Sequence, residues 1–399
     1  VTASGSRRRE TAGRLAIGLL ACLCVSGLLA RDLTWRIDTW IYDALLAGTQ
    51  QDVDERIVVV AIDERSLAAL GRWPWPRDTH ARLLDRLHEA GARGVALNVV
   101  FAEPARDGGD GDARLAAALA RSGRAVLPVM AEPSEPDGML IEVLPMPDLI
   151  EAAAGLGHVE AAVDRDGVAR DAYLRAGLGS AHWPALALAL LEAGTAPPAA
   201  LPGTRDPQPR QPSPYHWVRD HRIMVPYAPD AFAQVSYLDV LQGRAGDALL
   251  HDRWVLVGTT AAGIDQGVPS PLTGPGRSLP AIAYHANLLN TLLLDQAIAP
   301  LTRLQQWILA IGLVLLPVML YGGSAPWRRP WAMALLGVAV TLLSSALLLR
   351  YGRYWFPPAA TVAVLTAGSA VLALWRPSRS HRTAADVLGQ RPPPGVPGG

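Results

Sequence analysis

Two short segments carry side chains whose types and spacing could bind or transform a ligand. The first is Gly71-Arg72-Trp73-Pro74-Trp75-Pro76-Arg77, just after a run of β-branched residues. Its alternating prolines fix φ, and a residue ahead of proline is pushed toward extended backbone, so the two indoles become rigid plates flanked by arginines. Such plates hold a ligand or cap a core, and on residue physics alone the cap is the simpler role. The second segment is Val257-Gly258-Thr259-Thr260-Ala261-Ala262-Gly263-Ile264-Asp265, continuing to Pro269-Ser270-Pro271. A Gly/Thr loop after a strand can cradle an anion with its backbone N–H groups. Without a lysine or a Gly-x-Gly-x-x-Gly string, a tight connection is again the simpler reading.

Acid–base chemistry has thinner support. Asp63 closes the first β-branched run, where α/β folds place functional groups, and an aspartate there also caps the next helical turn. Asp63, Asp164 or Asp265 with His158 or His285 would equip a hydrolase. No Gly-x-Ser-x-Gly elbow and no His-Glu-x-x-His spacing accompanies them. All 36 Lys/Arg residues are arginine, which removes Walker-type phosphate loops, protein kinases, Ser-x-x-Lys hydrolases and pyridoxal enzymes from this chain. Net charge is zero with no basic stripe, so nucleic acid is not an expected partner. The two cysteines, Cys22 and Cys24, share one apolar run, and the nine histidines are scattered, so neither a disulfide, a metal nor a cofactor is expected.

What must position these residues is a domain held at a membrane. Four stretches lack every charged side chain: Leu15 to Ala30, Ile308 to Leu320, Trp331 to Leu349 and Tyr354 to Trp375. Spanning a bilayer takes roughly 20 apolar residues, which the last two meet outright and the second meets once Trp307 and Tyr321 are added. The first is the weakest span, and a cleaved signal peptide or lipidation at Cys22 are its rivals. The expected order is a cytoplasmic segment 1–14, spans at 15–30, 304–321, 331–349 and 354–375, an extracytoplasmic domain over 31–303, and a short tail over 376–399. With the amino terminus inside, Arg7, Arg8, Arg9, Arg14, Arg328, Arg329, Arg376, Arg379 and Arg382 flank the inner face. Only Arg31, Arg36, Arg303, Arg350 and Arg353 flank the outer one. The spans offer only small or hydroxyl polar groups, which argues for anchoring or relay over transport.

The outer domain, about 270 residues long, can bury a core without disulfides. Leu33 to Leu45 is patterned as an amphipathic helix, Ile57 to Ile62 as a buried strand, Ser66 to Leu70 and Thr79 to Ala90 as helices. Gly94 to Phe101 and Arg124 to Met130 are further strands around a helix at Asp112 to Ser122. His158 to Val163 and Val168 to Leu174 are expected to pair through a turn at Asp166-Gly167. Pro184 to Ala193 is a helix, and residues 195–214, with seven prolines, form an irregular insertion. Trp254 to Val257 is the last strand and a helix starts after Pro280. This order gives an α/β fold with a mixed, partly parallel sheet.

Together these segments resemble the type-two CHASE domain, a bacterial extracytoplasmic sensory family, over residues 35 to 300. The resemblance is carried by Val60-Ala61-Ile62-Asp63 with Ser66-Leu67, the Trp-Pro-Trp-Pro-Arg segment, Gly91-Ala92, Val257-Gly258-Thr259 with Gly263 and Asp265, His285-Ala286-Asn287, and three closing spans. It implies ligand contacts from Asp63, Trp73, Trp75, Arg77, Asn98, Thr259 and Asp265. Two positions depart from the family: Asn98 stands where an aspartate is expected, and Ala283 where a glutamate is expected. Family members continue into a cytoplasmic cyclase or kinase, and the segment after Trp375 is too short for one.

The resulting expectation is a non-enzymatic, inner-membrane, multi-pass sensor. Its partners would be the lipid bilayer, a small-molecule or envelope ligand, a separate cytoplasmic cyclase or kinase, and a second copy of the chain. A membrane-anchored envelope hydrolase and an envelope scaffold are the alternatives.

Overall fold

The computed structural model describes residues 2–49, 51–105, 109–135, 138–195, 200–205, 213–228, 232–264, 267–273, 277–320 and 330–375. The chain divides into two units, one of residues 1–42 with 301–399 and one of residues 43–300. In chain order the helices α1 (Thr2–Ala30) and α2 (Trp35–Ala47) come first, and the last turn of α2 already belongs to the second unit.

That second unit is built on parallel strands β1 (Ile57–Ile62), β2 (Gly94–Leu97), β3 (Ala125–Pro133), β5 (Gly155–His158), β9 (Ala233–Ser236) and β10 (Trp254–Thr259), with β4 (Leu140–Val143) antiparallel to β3. The main path runs β4-β3-β2-β10-β1-β9, and β5 also pairs with β3. Three more strands, β6 (Asp171–Leu178), β7 (Trp183–Pro184) and β8 (Trp217–Met224), form a separate antiparallel sheet. This bears out the α/β class with a mixed, partly parallel sheet.

Strand side chains alternate between two apolar layers because successive residues face opposite sides. Val58, Val60, Val95, Leu97, Val255 and Val257 join one core, and Val59, Ala96, Trp254 and Leu256 join the other. The first core is closed by α4 (Arg77–Glu89), α5 (Gly111–Ser122), α6 (Pro147–Ala152) and α8 (Tyr237–Leu241), with α3 (Glu64–Leu70) leading into α4 and α9 (Asp247–Leu250) preceding β10. The second core is closed by α7 (Leu186–Gly194) and α10 (Ala281–Leu293). Both faces being covered explains why β1 and β10 are continuous apolar runs.

Close packing makes one glycine testable. A Cβ on Gly157 of β5 would lie 2.6 Å from Leu186 Cα at the start of α7, a backbone atom that cannot swing aside. Gly157→Ala is therefore expected to destabilise the unit by about 1–3 kcal/mol, read as a loss of several degrees in thermal unfolding. An unchanged melting temperature would mean that α7 does not rest on β5 this closely.

Two expectations are corrected here. The strand foreseen to Phe101 stops at Leu97, because Val99 N–H turns back to Leu97 O at 2.8 Å. The turn at Asp166-Gly167 exists, closed by Gly167 N–H to Asp164 O at 2.9 Å, and its flanks do meet antiparallel, through Asp164 N–H to Val168 O at 2.9 Å and a bridge of Ala162 with Asp171, but the pairing goes no further than that bridge. β5 pairs with β3, while β6 pairs with β7 and β8.

The other unit contains α1, the start of α2, and the helices α11 (Arg303–Leu320), α12 (Pro330–Leu347, continued by a wider turn to Gly352) and α13 (Ala359–Trp375). Val25 and Leu29 of α1 pack with Ala310 and Val314 of α11 and Ala360 of α13. Asp38 accepts the Ala359 N–H at 2.8 Å, capping α13. Four spans were expected. Among the described residues one helix, Trp331–Gly352 at mean hydropathy 2.3, is long and apolar enough, or two if Leu15–Ala30 and Trp35–Ala47, bent by 79°, count as one. Arg303–Pro317 and Ala359–Val371 are apolar but shorter. The last span loses its first residues because Tyr354 and Trp355 are extended and two prolines follow at 357 and 358, ahead of α13.

Candidate functional site

A cleft of about 700 Å³ opens beyond the carboxyl ends of β2 and β10. The chain leaving β2 continues to α5 on one face of the sheet, and the chain leaving β10 continues to α10 on the other. Divergence of this kind leaves a crevice at the strand ends, the usual ligand position in open α/β sheets. The cleft is lined by Trp73, Trp75, Arg77, Asn98 and Thr259, five of the seven residues singled out in the sequence. Asp265 lies outside the described residues.

Asp63 is the exception. Its Oδ1 accepts the Ser66 N–H at 2.8 Å, the Ser66 hydroxyl at 2.5 Å and the Ser236 hydroxyl at 3.1 Å, which commits it to the start of α3 and the end of β9. It is not part of the cleft lining. The capping role weighed for it in the sequence is the one the structure displays.

The aromatic wall is both core and surface. Trp75 is 3 % exposed, donates its indole N–H to Gly71 O at 3.0 Å, and packs 4.8 Å from Tyr237. Trp73 stays partly open, edge-on to Trp75 at 5.1 Å and to His80 at 5.8 Å. His80 and Phe101, neither foreseen as site residues, complete the wall with ring centres 5.3 Å apart. The signal for His80 was present in the sequence: it falls on the buried α4 stripe with Leu83, Leu84 and Leu87. Its Nδ1 bonds the Tyr237 hydroxyl at 2.9 Å and its Nε2 has no partner among the described residues. Burial, helped by the positive charge of Arg77, lowers the His80 pKa to about 3, so the ring is neutral. Burial also pushes the Tyr237 hydroxyl well up.

Arg77 is a positioning residue. It bonds Asp112 Oδ1 at 3.1 Å and Glu103 O at 2.7 Å, and its guanidinium stacks 4.5 Å from the centre of Phe101. Asp112 also accepts the Ala105 N–H at 2.8 Å, so the pair pins the 103–105 loop along the cleft. Asn98 donates its backbone N–H to Val257 O at 2.8 Å, and Asn98 and Thr259, at the ends of adjacent strands, both line the cleft. Neither the Asn98 amide nor the Thr259 hydroxyl meets a partner among the described residues.

Residues 19–322 match the profile of the CHASE2 domain. The chain belongs to the CHASE2 domain family. CHASE2 domains are extracytoplasmic sensory domains of membrane proteins, so this CHASE2 chain carries a sensory module. Comparison with curated proteins and with solved structures finds no match. Of the two departures from the family noted in the sequence, Asn98 sits in the cleft of this CHASE2 domain, and Ala283, in the first turn of α10, does not.

Proposed function

We propose that this CHASE2 chain is a non-enzymatic, inner-membrane receptor whose cleft at the ends of β2 and β10 binds a small molecule of the envelope. Occupancy is passed through the membrane helices to a cytoplasmic cyclase or kinase, with a second copy of the chain as a dimer partner. In this reading α1, α11, α12 and α13 all lie in the bilayer, both termini face the cytoplasm and residues 31–303 lie outside. The observation that carries it is the pair of unpartnered polar side chains, Asn98 and Thr259, in an aromatic-walled cleft at the strand ends.

The hydrolase alternative finds less support. His158 is 2 % exposed with its Nε2 on Tyr173 O at 3.1 Å, and His285 is equally buried. No hydrogen bond joins either ring to an aspartate among the described residues.

The test uses the full chain in detergent. A small-molecule fraction of envelope extract should raise its melting temperature, and Asn98→Ala/Thr259→Ala should remove that rise while leaving the unliganded melt in place. A rise that persists in the double variant, or turnover in a hydrolase screen abolished by Asp63→Asn, would sink the proposal.

A further inference from the structure

The lining of the cleft also defines the kind of molecule it would hold, an inference that rests on the cleft being the ligand site. Charge is decided first. Arg77 and Glu103 are the charged residues of the described lining, and both are already engaged, Arg77 by Asp112, the Glu103 carbonyl and the Phe101 ring. An anionic ligand would have to draw Arg77 out of a largely buried pair, with Arg77 only 14 % and Asp112 19 % exposed, and leave Asp112 uncompensated, while a cation would have to compete with the interaction Glu103 already makes.

Shape follows from the rings. Trp73 lies at near right angles to both Trp75 and His80, lines the cleft and stays partly open, so flat indole surface is available there to a planar ligand.

Polarity is limited to a few points. The Asn98 amide can donate and accept, the Thr259 hydroxyl can do both, and His80, fully buried with Nδ1 held by Tyr237, keeps one unpartnered position at Nε2 whichever tautomer it adopts. A sugar, with a hydroxyl on nearly every carbon, would leave most of its polar groups unmet in this setting.

We propose that the cleft takes an uncharged, planar aromatic or heteroaromatic ring bearing an amide-like edge, with the ring against Trp73 and the edge at Asn98 and Thr259.

Four probes separate the possibilities: nicotinamide, its anionic counterpart nicotinate, the 1-methylnicotinamide cation, and glucose. Each is titrated by calorimetry and tryptophan fluorescence against the full chain in detergent. Nicotinamide should bind saturably and at least tenfold more tightly than the other three. Asn98→Ala, at a partly exposed position outside the packed core, should weaken it by about tenfold. Tighter binding of a charged ring or of glucose, weakened by Asn98→Ala, would overturn the ring class and keep the cleft as the ligand site. Failure of all four to bind would also overturn the ring class, and loss of the extract-induced stabilisation in Asn98→Ala/Thr259→Ala would still support the site. Nicotinamide binding indifferent to both substitutions would overturn the ring assignment and the site together.

Discussion

Acidification from pH 7.5 to 5 is expected to remove roughly 6 kcal/mol of stability, because three buried histidines each contribute about 2 kcal/mol. Burial is the main cause in each case. It lowers the pKa of His80 to about 3, of His158 to about 4 and of His285 to about 3, against an ordinary value of 6.5. Arg77 adds to the effect at His80 and His158 adds to it at His285, while Glu160 and the Tyr173 carbonyl partly offset it at His158. A base held neutral in the fold takes up its proton only on unfolding. Its stabilisation is therefore complete above pH 6.5 and is lost as pH falls through 6.5 toward the folded values. Asp164, raised by burial, works in the opposite direction and softens the loss. Domains of ordinary stability hold about 5–15 kcal/mol, so the loss reaches the whole margin of a weak one. Thermal unfolding of the full chain should drop by more than about 10 °C between the two pH values. His285→Gln, which cannot take up the proton, should shrink that drop by about one third. Equal melting temperatures at pH 7.5 and 5 would show that these rings are not held neutral.

How much of this could be read in advance depended on whether a signal was local. β1 was legible to the residue, since Ile57 to Ile62 is one unbroken run buried on both faces. β9 was not: Ala233-Gln234-Val235-Ser236 has no strand pattern, and its place comes from parallel pairing with β1, with Val58 opposite Ala233. At Asp166-Gly167 the turn was visible because Gly167, at φ 79°, supplies a left-handed backbone, but a turn does not say how far its flanks pair: they meet at Ala162 and Asp171, and the length of β6 lies along β8. The cleft repeats the pattern. Trp73, Trp75 and Arg77 stood out by type and spacing, yet only packing shows that Trp75 is core, Arg77 a brace and Trp73 the open face. His80 did not stand out, and what makes it part of the site is that Phe101 and Tyr237, far away in sequence, close around it together with the neighbouring Trp73 and Trp75.

Arg170→Ala is expected to cost about 3–5 kcal/mol, since it leaves three carboxylates without their cation. Arg170 has a side chain 4 % exposed and uses all five of its N–H donors. Nε and Nη2 grip Asp43 at 2.8 and 2.7 Å, Nη1 reaches Asp164 at 2.9 Å, and Nη1 and Nη2 each reach Asp166 at 3.0 Å. This fork fastens the last turn of α2 to the loop between β5 and β6. Asp166, 36 % open to solvent, keeps the expected cost toward the lower end of that range. Arg170→Lys tests geometry against charge: a lysine restores one positive charge but has three donors in place of a planar five, so it should recover only part of the loss. Acid separates electrostatics from packing. Burial tends to raise Asp166, but its hydrogen bonds to Arg170 win and hold it below the ordinary range, so its stabilisation in the intact protein is present above that range and lost as pH falls below it. In Arg170→Ala the clustered carboxylates instead relax as they take up protons. The gap in unfolding free energy between the two proteins, measured in denaturant, should therefore narrow steadily from pH 7 to pH 4. The three histidines titrate alike in both and cancel. A gap independent of pH would assign Arg170 to packing, and no gap at all would show that the fork does not hold α2.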